Sequence, residues 1–382
     1  MRILFCPQCP ASHELGGSKV AVELSAALAG LGWKCEIKSI PEIWSQVSPG
    51  GKLTAPEALK IFLQENAAAF DVVDYDFAYL PHARNLFARN TLLVARSVLL
   101  IHHRGEIKIP EPASWGFRLR KLIDLRGEKH LFQAFFDDGD RTLREADLVN
   151  VANHRDQEIL TRQGVNRNIV VLPYGIDSLR RSIFDAIDSA PPAQPRVAFV
   201  GTFDYRKGCL DFPKIALRIF QQAPGVSFRL MGTAGLFQTE KEVRRFFPRI
   251  LQGRLEIIPR YATQDLPRLL SDCSAGVFPS YWEGFGFGLI EMLAAAVPVI
   301  AYDSPGPCSI LPSEKLVPPG GVAAMADKIS QMLNDPDLLH AERIAARNYS
   351  QRFNWPKIAE ATAKVYSEYL ERKAALPTMI HG

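Results

Sequence analysis

The sequence has no long hydrophobic run. No stretch approaches the ~20 uninterrupted apolar residues that a membrane-spanning helix needs. The apolar core of residues 1–7 is also too short for a secretory signal peptide. Internal repeats and low-complexity segments are lacking as well. We therefore expect a protein that is made and kept in the cytoplasm, rather than a membrane-spanning or secreted protein.

Cysteine is scarce, and neither sign of charge is much in excess. The six cysteines show no spacing typical of a disulfide framework, and the one close pair, Cys6 and Cys9, lacks the second ligand pair of a structural zinc site. A thioredoxin-like redox site is the alternative to a simpler interpretation, in which these small residues close a first strand. The 45 basic and 41 acidic residues leave a net charge of +4, which does not require nucleic acid as a partner.

The 382 residues are enough for two or three domains at about 150 residues per domain. Short apolar runs alternate with stretches of helical period, which is typical of strand-helix-strand units and parallel sheets. In the first half, the pattern predicts strands at Arg2–Cys6, Cys35–Lys38, Asp71–Asp74, Val98–His102, Leu148–Val151 and Ile169–Leu172. It predicts helices at Ser18–Ala29, Pro56–Asn66, Phe117–Arg126, Leu131–Arg144 and Arg155–Gln163.

A proline-rich segment, residues 189–195, is the predicted domain boundary, because three prolines within five residues cannot sustain a helix or a central strand. The alternation then restarts with predicted strands at Val197–Val200, Ser227–Met231, Leu255–Ile258, Gly276–Phe278 and Val299–Ala301. Predicted helices lie at Phe212–Gln222, Thr239–Phe247, Asp265–Asp272, Gly288–Ala296 and Val322–Leu333.

These elements predict an α/β protein with two doubly wound, Rossmann-like domains. The N-terminal domain covers residues 1–188 and the C-terminal domain residues 196–354. An amphipathic helix at 355–375, entered through Pro356, ends the pattern. Parallel sheets bind ligands at the carboxyl ends of their strands, so we expect the ligand in a cleft between the domains.

The most informative segment is residues 280–291, with the sequence Ser-Tyr-Trp-Glu-Gly-Phe-Gly-Phe-Gly-Leu-Ile-Glu. A glycine-rich loop follows a strand and leads into a helix, and the N–H groups at the start of a helix attract phosphate. Glu283 and Glu291 can accept hydrogen bonds from sugar and ribose hydroxyls. The glycines alone are equally compatible with a tight turn, in which Glu291 only complements the helix dipole. The dinucleotide motif Gly-x-Gly-x-x-Gly fits less well because this loop follows a late strand.

The chain resembles a known family at this point. The Glu-x7-Glu pattern lies within Pro-Ser-x-x-Glu-Gly-Phe-Gly and is followed by Ala-x-Pro-Val-Ile-Ala, which is similar to the retaining GT-B glycosyltransferases of the group 1 family (family 4). Further segments resemble the same family in order and spacing: the glycine loop at Gly16, Gly17 and Ser18, and residues 146–147, 172–177, 199–208 and 353–355. The last of these resembles the start of a helix that crosses back to the first domain.

The resemblance implies a role for each site residue. Arg206 and Lys207, together with the helix start at Gly286, Phe287, Gly288 and Leu289, would bind the donor diphosphate. Glu283 would lie at the donor sugar, Glu291 at the ribose, and the loop around Arg260 near the nucleobase. His102 or His103 would face the sugar, and the residues leave open which of them does so. The family often has arginine where this chain has Thr202, so we expect Arg206 to supply the guanidinium.

No metal or cofactor is expected. Asp74-Tyr75-Asp76 has the Asp-x-Asp form of a metal-binding motif, but it lies in the first domain, and we interpret it as a strand-end turn. Asp137-Asp138-Gly139-Asp140 lacks the remaining ligands of a calcium loop. Basic residues interleaved with apolar ones between positions 115 and 129 would suit peripheral contact with an anionic membrane, but an ordinary solvated helix face is the alternative.

The resemblance therefore implies a retaining, nucleotide-sugar-dependent hexosyltransferase that acts in glycan or glycolipid biosynthesis. The N-terminal domain would select a glycan, glycolipid or small-molecule acceptor, and the C-terminal domain the donor. Two alternatives stay open: an NAD-dependent Rossmann oxidoreductase, and a catalytically degenerate sugar-nucleotide-binding subunit suggested by Thr202.

Overall fold

The computed structural model describes residues 1–12, 16–112 and 133–375. These residues form two compact units. The first contains residues 1–12, 16–102, 133–174 and 355–375, and the second contains 103–112 and 175–354. The predicted helix Phe117–Arg126 and the basic and apolar segment 115–129 lie outside the described residues.

The first unit is built on a six-stranded parallel sheet with the order β2-β1-β3-β4-β5-β6. Its central strands are buried apolar runs, as expected for a parallel sheet covered on both faces. In the register, Ile3 pairs with Cys35 on one side and Val72 on the other. The strands are β1 Arg2–Cys6, β2 Lys34–Ile37, β3 Val72–Asp76, β4 Leu92–Arg96, β5 Leu148–Val151 and β6 Ile169–Val171.

The helices of the first unit begin at recognisable caps. Thr54 accepts a hydrogen bond from the Glu57 N–H and Glu57 reaches back to Thr54, a capping box that starts α3. The Asn153 side chain caps α5 by accepting a hydrogen bond from the Asp156 N–H. The helices are α1 Gly16–Gly30, α2 Ile40–Val47, α3 Ala55–Asn66, α4 over residues 133–145, α5 His154–Arg162 and, near the C-terminus, α14 Trp355–Ala375.

A buried polar network attaches α14 to the sheet of the first unit. The Tyr366 hydroxyl donates to Asp74 Oδ2 at 2.6 Å, and Arg96 binds both oxygens of that carboxylate at 2.6 and 2.9 Å. All three side chains are buried. The charge of Asp74 is thus paired, and the network links α14 to β3 and β4.

The second unit also contains a six-stranded parallel sheet, with the order β12-β11-β10-β7-β8-β9. Phe199, Phe203 and Phe212 pack in an aromatic cluster on one side of it, with Phe199 and Phe212 stacked at 5.3 Å between ring centroids. The strands are β7 Arg196–Val200, β8 Ser227–Met231, β9 Leu255–Ile258, β10 Ala275–Phe278, β11 Val299–Tyr302 and β12 Leu316–Val317. The helices are α6 Ser178–Asp185, α7 Phe212–Gln222, α8 Glu240–Arg244, α9 Leu266–Leu270, α10 Phe287–Ala294, α11 Pro307–Ile310, α12 Val322–Asn334 and α13 Pro336–Ser350.

One predicted strand is wrong. Residues 98–102 are not a strand, and a 3-10 helix covers Ile101–Gly105. The fourth strand of the first sheet is instead β4, which lies between β3 and β5 and is buried along its whole length. Both segments are apolar runs of similar length, so hydrophobicity alone does not distinguish the one that enters the sheet.

The sequence pattern also missed three helices of the second unit, α6, α11 and α13, and the second unit begins before the predicted domain boundary. Asp177 caps α6 and Asp335 caps α13, which are ordinary start signals. The chain passes into the second unit at Gly175, well before the proline-rich segment. Arg181 on α6 explains the difference, because it donates hydrogen bonds to Ser350 and Phe353 of the second unit.

Within the described parts of the chain, no helix combines the length and apolar character needed to cross a bilayer.

Replacing Tyr366 with phenylalanine removes the hydrogen bond that its hydroxyl donates to the buried Asp74 carboxylate and those that it accepts from Arg96 and Asn150. The direct pair between Arg96 and Asp74 stays in place. We expect the free energy of unfolding to fall by about 2 kcal/mol, as for hydrogen bonds to charged groups. Urea denaturation would measure the change. Tyr369→Phe, a half-buried tyrosine on the same helix but outside the network, is the control and should be nearly neutral. Equal stability of the Y366F protein and wild type would contradict the anchoring role.

Candidate functional site

The loop after β7 is held by its own polar groups. Asp204 accepts hydrogen bonds from the Thr202 hydroxyl at 2.7 Å and from the Lys207 N–H at 2.9 Å. Phe203 points into the aromatic cluster and is fully buried. The next residues, Arg206 and Lys207, therefore leave the loop at a defined place at the carboxyl end of the sheet.

The loop after β10 is fastened to the loop after β7. The Tyr281 N–H donates to the Arg206 carbonyl at 2.8 Å. Gly208 has a φ of +78°, and a Cβ atom at this position would lie 2.3 Å from the Pro279 carbonyl oxygen. Because only glycine permits this close approach, the two loops of these adjacent strands pack directly on each other.

Two tyrosines, one of them in the loop after β10, bind the same buried carboxylate. Tyr281 and Tyr302 both donate their hydroxyl hydrogen bonds to Asp211 Oδ2, the latter at 3.0 Å. Burial, together with the nearby Asp211 carboxylate, raises the pKa of both phenols. Both phenols therefore stay protonated and donate to Asp211.

Glu283 lies where the two loops meet. Its carboxylate oxygen Oε1 is 2.5 Å from Lys207 Nζ and 3.4 Å from Arg206 Nη1. The residue is only 7% exposed. Burial acts to raise the pKa of Glu283, but the charges of Lys207 and Arg206 outweigh it and hold the pKa below its usual value. The side chains predicted for the donor sugar and the diphosphate are thus brought together, with the carboxylate ionised.

Helix α10 starts beside these groups. Gly286, with a φ of +115°, precedes the helix, and a Cβ atom on Gly288 would lie 2.7 Å from the Val200 carbonyl oxygen at the end of β7. The first turn therefore packs against the end of the strand that leads to Lys207. The Leu289 N–H already donates to the Gly286 carbonyl at 3.0 Å. The positive end of the helix dipole and the two cations lie at the same edge of the sheet.

Glu291, the second predicted carboxylate, is on α10 and is paired with an arginine that the sequence analysis missed. Arg180 Nη1 donates to Glu291 Oε1 at 2.7 Å, and both side chains are buried. Burial raises the pKa of the neighbouring Tyr261, and the negative charge of Glu291 adds to that effect. The one sequence signal for Arg180 is its place three residues after the helix cap Asp177.

The remaining predicted residues lie in different surroundings. Arg260 is exposed after β9, where its guanidinium donates to Gln238 Oε1 at 2.6 Å. Gly16 and Gly17 are the first two residues of α1, and Gly17 lines a depression at the carboxyl end of the first sheet with Gln8 and Asp76. Their ligand roles stay predictions.

His102 and His103 are both buried, but they lie in the 3-10 helix and not at the end of a strand. Nε2 of His102 is 3.3 Å from Asp140 Oδ1, and its ring packs at 5.0 Å from that of Phe136. The His103 carbonyl accepts hydrogen bonds from residues 106 and 107. Which histidine would face a sugar stays a prediction.

The acidic motifs and the cysteines, which the sequence analysis considered as possible metal or redox sites, lie in the following places. Asp74 and Asp76 belong to β3 itself rather than to a turn after it. Asp140 is bound by Arg144 as well as by His102. In the portion of the chain that the structure describes, no group of three or more metal-ligating side chains occurs. All six cysteines are free thiols, and Cys6 ends β1.

Comparison with known proteins identifies the segment that carries this site. Residues 182–350 match the profile of the family described as "Glycosyl transferases group 1". We call residues 182–350 the group 1 segment. This group 1 segment contains Arg206, Lys207, Glu283 and Glu291, and its match favours a glycosyltransferase over the alternative of an NAD-dependent oxidoreductase.

A curated protein is similar to part of the chain. The glycogen synthase of Mycobacterium tuberculosis (strain CDC 1551 / Oshkosh) is 27% identical over 230 residues, which cover 59% of this chain and 55% of that protein. The chain thus spans about half the length of the curated relatives it matches.

Two solved structures are similar over nearly the whole chain. Sucrose-phosphate synthase from Thermosynechococcus elongatus has a TM-score of 0.73 at 22% identity and covers 97% of this chain and 99% of its own. Anabaena HepE in complex with UDP-glucose has a TM-score of 0.66 at 18% identity and covers 96% and 100%. The predicted GT-B fold class is confirmed.

Replacing Lys207 with methionine removes the nearest cation from the buried Glu283 carboxylate. We expect the pKa of Glu283 to rise, because burial then dominates over the remaining charge of Arg206. An NMR pH titration of 13C-labelled glutamate, with the Glu283 resonance assigned from Glu283→Gln, would measure it. Lys214→Met is the control, since that side chain is 66% exposed and pairs with Asp211 instead. An unchanged pKa in the K207M protein would contradict the pairing.

Proposed function

We propose that this protein transfers a sugar from a nucleotide-sugar donor to an acceptor hydroxyl with retention of configuration. The observation that carries the proposal is the assembly of Arg206, Lys207 and Glu283 at the start of α10, within the group 1 segment. HepE, which shares the fold, was solved with UDP-glucose, and this supports a nucleotide-sugar as the donor class.

The diphosphate would bind to the two cations and the helix start. Lys207 offers a compact point charge and Arg206 a planar fork of donors, and both suit phosphate oxygens. The backbone N–H groups in the loop from Gly286 into the first turn of α10, together with the helix dipole, favour an anion at the same place. These groups neutralise charge without a metal, so we propose metal-independent donor binding.

The two carboxylates would recognise the two sugars of the donor. Glu283, kept ionised by its neighbours, would accept hydrogen bonds from the transferred sugar and stabilise positive charge at its anomeric carbon. Glu291 would accept hydrogen bonds from the ribose hydroxyls. The loop at Arg260 would lie near the nucleobase, and His103 or His102 would bind a hydroxyl of the transferred sugar.

The reaction would proceed by departure of the diphosphate and front-side attack of the acceptor hydroxyl. Breaking the bond leaves negative charge on the diphosphate oxygen and an oxocarbenium-like sugar. Arg206 and Lys207 would stabilise the negative charge on the diphosphate, and Glu283 the positive charge on the sugar. These side chains would need little rearrangement to do so. The acceptor proton would pass to the departing phosphate oxygen, so the step needs no enzyme nucleophile.

The acceptor would bind to the first unit. We propose that it is a glycan, a glycolipid or a small-molecule alcohol, and that the transfer takes place in the cytoplasm. Peripheral contact with an anionic membrane stays a prediction, because the residues that suggested it lie outside the described residues.

Calorimetric titration with UDP, GDP, ADP and NAD tests the donor class. We expect one nucleoside diphosphate to bind, with an affinity that EDTA does not change, and NAD not to bind. Binding of NAD alone would overturn the proposal in favour of an oxidoreductase. Loss of nucleotide binding in EDTA would contradict metal independence.

Replacing Glu283 with glutamine tests the chemical step. We expect transfer from the matching nucleotide-sugar to a panel of glycan and lipid acceptors to fall by about 10²-fold, as when a preorganised electrostatic group is lost, while nucleoside diphosphate still binds. Glu314→Gln, an exposed glutamate of the same unit, is the matched control. Full transfer in the E283Q protein would remove Glu283 from the reaction. A wild-type protein that binds donor without turnover would support the degenerate-subunit alternative.

A further inference from the structure

Arg180 on α6 joins two carboxylates that are far apart in the sequence. Its Nη1 lies 2.7 Å from Glu291 Oε1 and its Nε lies 2.5 Å from Asp177 Oδ2. The side chains of Arg180 and Glu291 are only 8% and 6% exposed. A single buried guanidinium therefore serves two anions, one at the cap of α6 and one on α10.

This geometry restricts the orientation of the Glu291 carboxylate. The guanidinium is a rigid planar fork, so binding Asp177 through one nitrogen fixes where its other nitrogen presents a donor to Glu291. Asp177 is itself held, because its Oδ1 accepts the Arg180 N–H at 2.9 Å to cap the helix. Arg180 contacts Oε1 of Glu291, and a carboxylate has two oxygens that can accept hydrogen bonds.

A carboxylate held in one orientation suits a pair of adjacent hydroxyl groups such as those of ribose.

We infer that Arg180 is a positioning residue that holds Glu291 in the orientation for binding the ribose hydroxyls, and that it thereby restricts the donor to ribonucleotides over 2′-deoxyribonucleotides. The inference rests on the proposed function, in which Glu291 binds the ribose. Arg180 acts through Glu291 and does not itself touch the reacting atoms.

The test compares the affinities of UDP, GDP and ADP with those of their 2′-deoxy counterparts, measured by calorimetry on the full-length protein. For the nucleotide that binds, we expect wild type to prefer the ribose form by roughly tenfold, as for a hydrogen bond to a charged group. In Arg180→Met this ratio should fall towards one. In Arg180→Lys, which keeps a cation but not the planar fork, the ratio should lie between those of wild type and R180M.

Arg181→Met is the matched control. Arg181 is the next residue on α6 and is equally buried, but it donates to Ser350 and Phe353 and not to Glu291. Its loss should lower the melting temperature and leave the ribose preference unchanged. If R180M does not fold, the comparison of R180K with R181M decides.

Three results separate this inference from the proposed function. A wild-type ribose preference that persists in R180M and R180K overturns the positioning role and leaves the proposed function intact. Nucleotide binding by wild type without ribose preference contradicts the assignment of Glu291 to the ribose, and the inference with it. Absence of binding by all three nucleotides contradicts the proposed function itself.

Discussion

The ion pair between Lys207 and Glu283 is the interaction on which the candidate site depends. It joins the loops that follow β7 and β10, two adjacent strands of the second sheet. Removing a carboxylate from water is unfavourable unless cations and hydrogen bonds compensate, so Glu283 can be buried and ionised only with Lys207 and Arg206 beside it. The same requirement concentrates positive charge at the place where α10 begins.

Backbone contacts hold the two loops together, so the charged side chains are already close to one another before a ligand binds. The Tyr281 N–H donates to the Arg206 carbonyl. The backbones of the two loops are in such close contact at Gly208 that no side chain fits between them. Groups that already point to the place where charge develops need little reorganisation during a reaction, which is the main source of electrostatic catalysis. The site is thus a product of loop packing as much as of its charged residues.

Much of the site was predictable because its residues are close together in the sequence. Glu283, Gly288 and Glu291 lie within one loop and helix, and their spacing is part of the motif that resembles the group 1 family. Arg180 was not predictable in this way, since it is separated from Glu291 by 111 positions and meets it only when α6 packs near α10. The strand predicted at residues 98–102 was wrong for a related reason. Its apolar composition is typical of a strand, but β4 occupies the place between β3 and β5.

Periodicity, caps and glycine loops are local properties, so the amino-acid sequence indicated most strands and helices and the two parallel sheets. The carboxylate and lysine motifs were recognised through their resemblance to a known family. Contacts between distant segments established that the second unit begins at Gly175, before the proline-rich segment, that Tyr366 and Asp74 link α14 to the first sheet, and that each site carboxylate has a cation beside it. The physical reason is the same in each case. A buried charge must find its partner in space, and sequence distance carries no information about where that partner is.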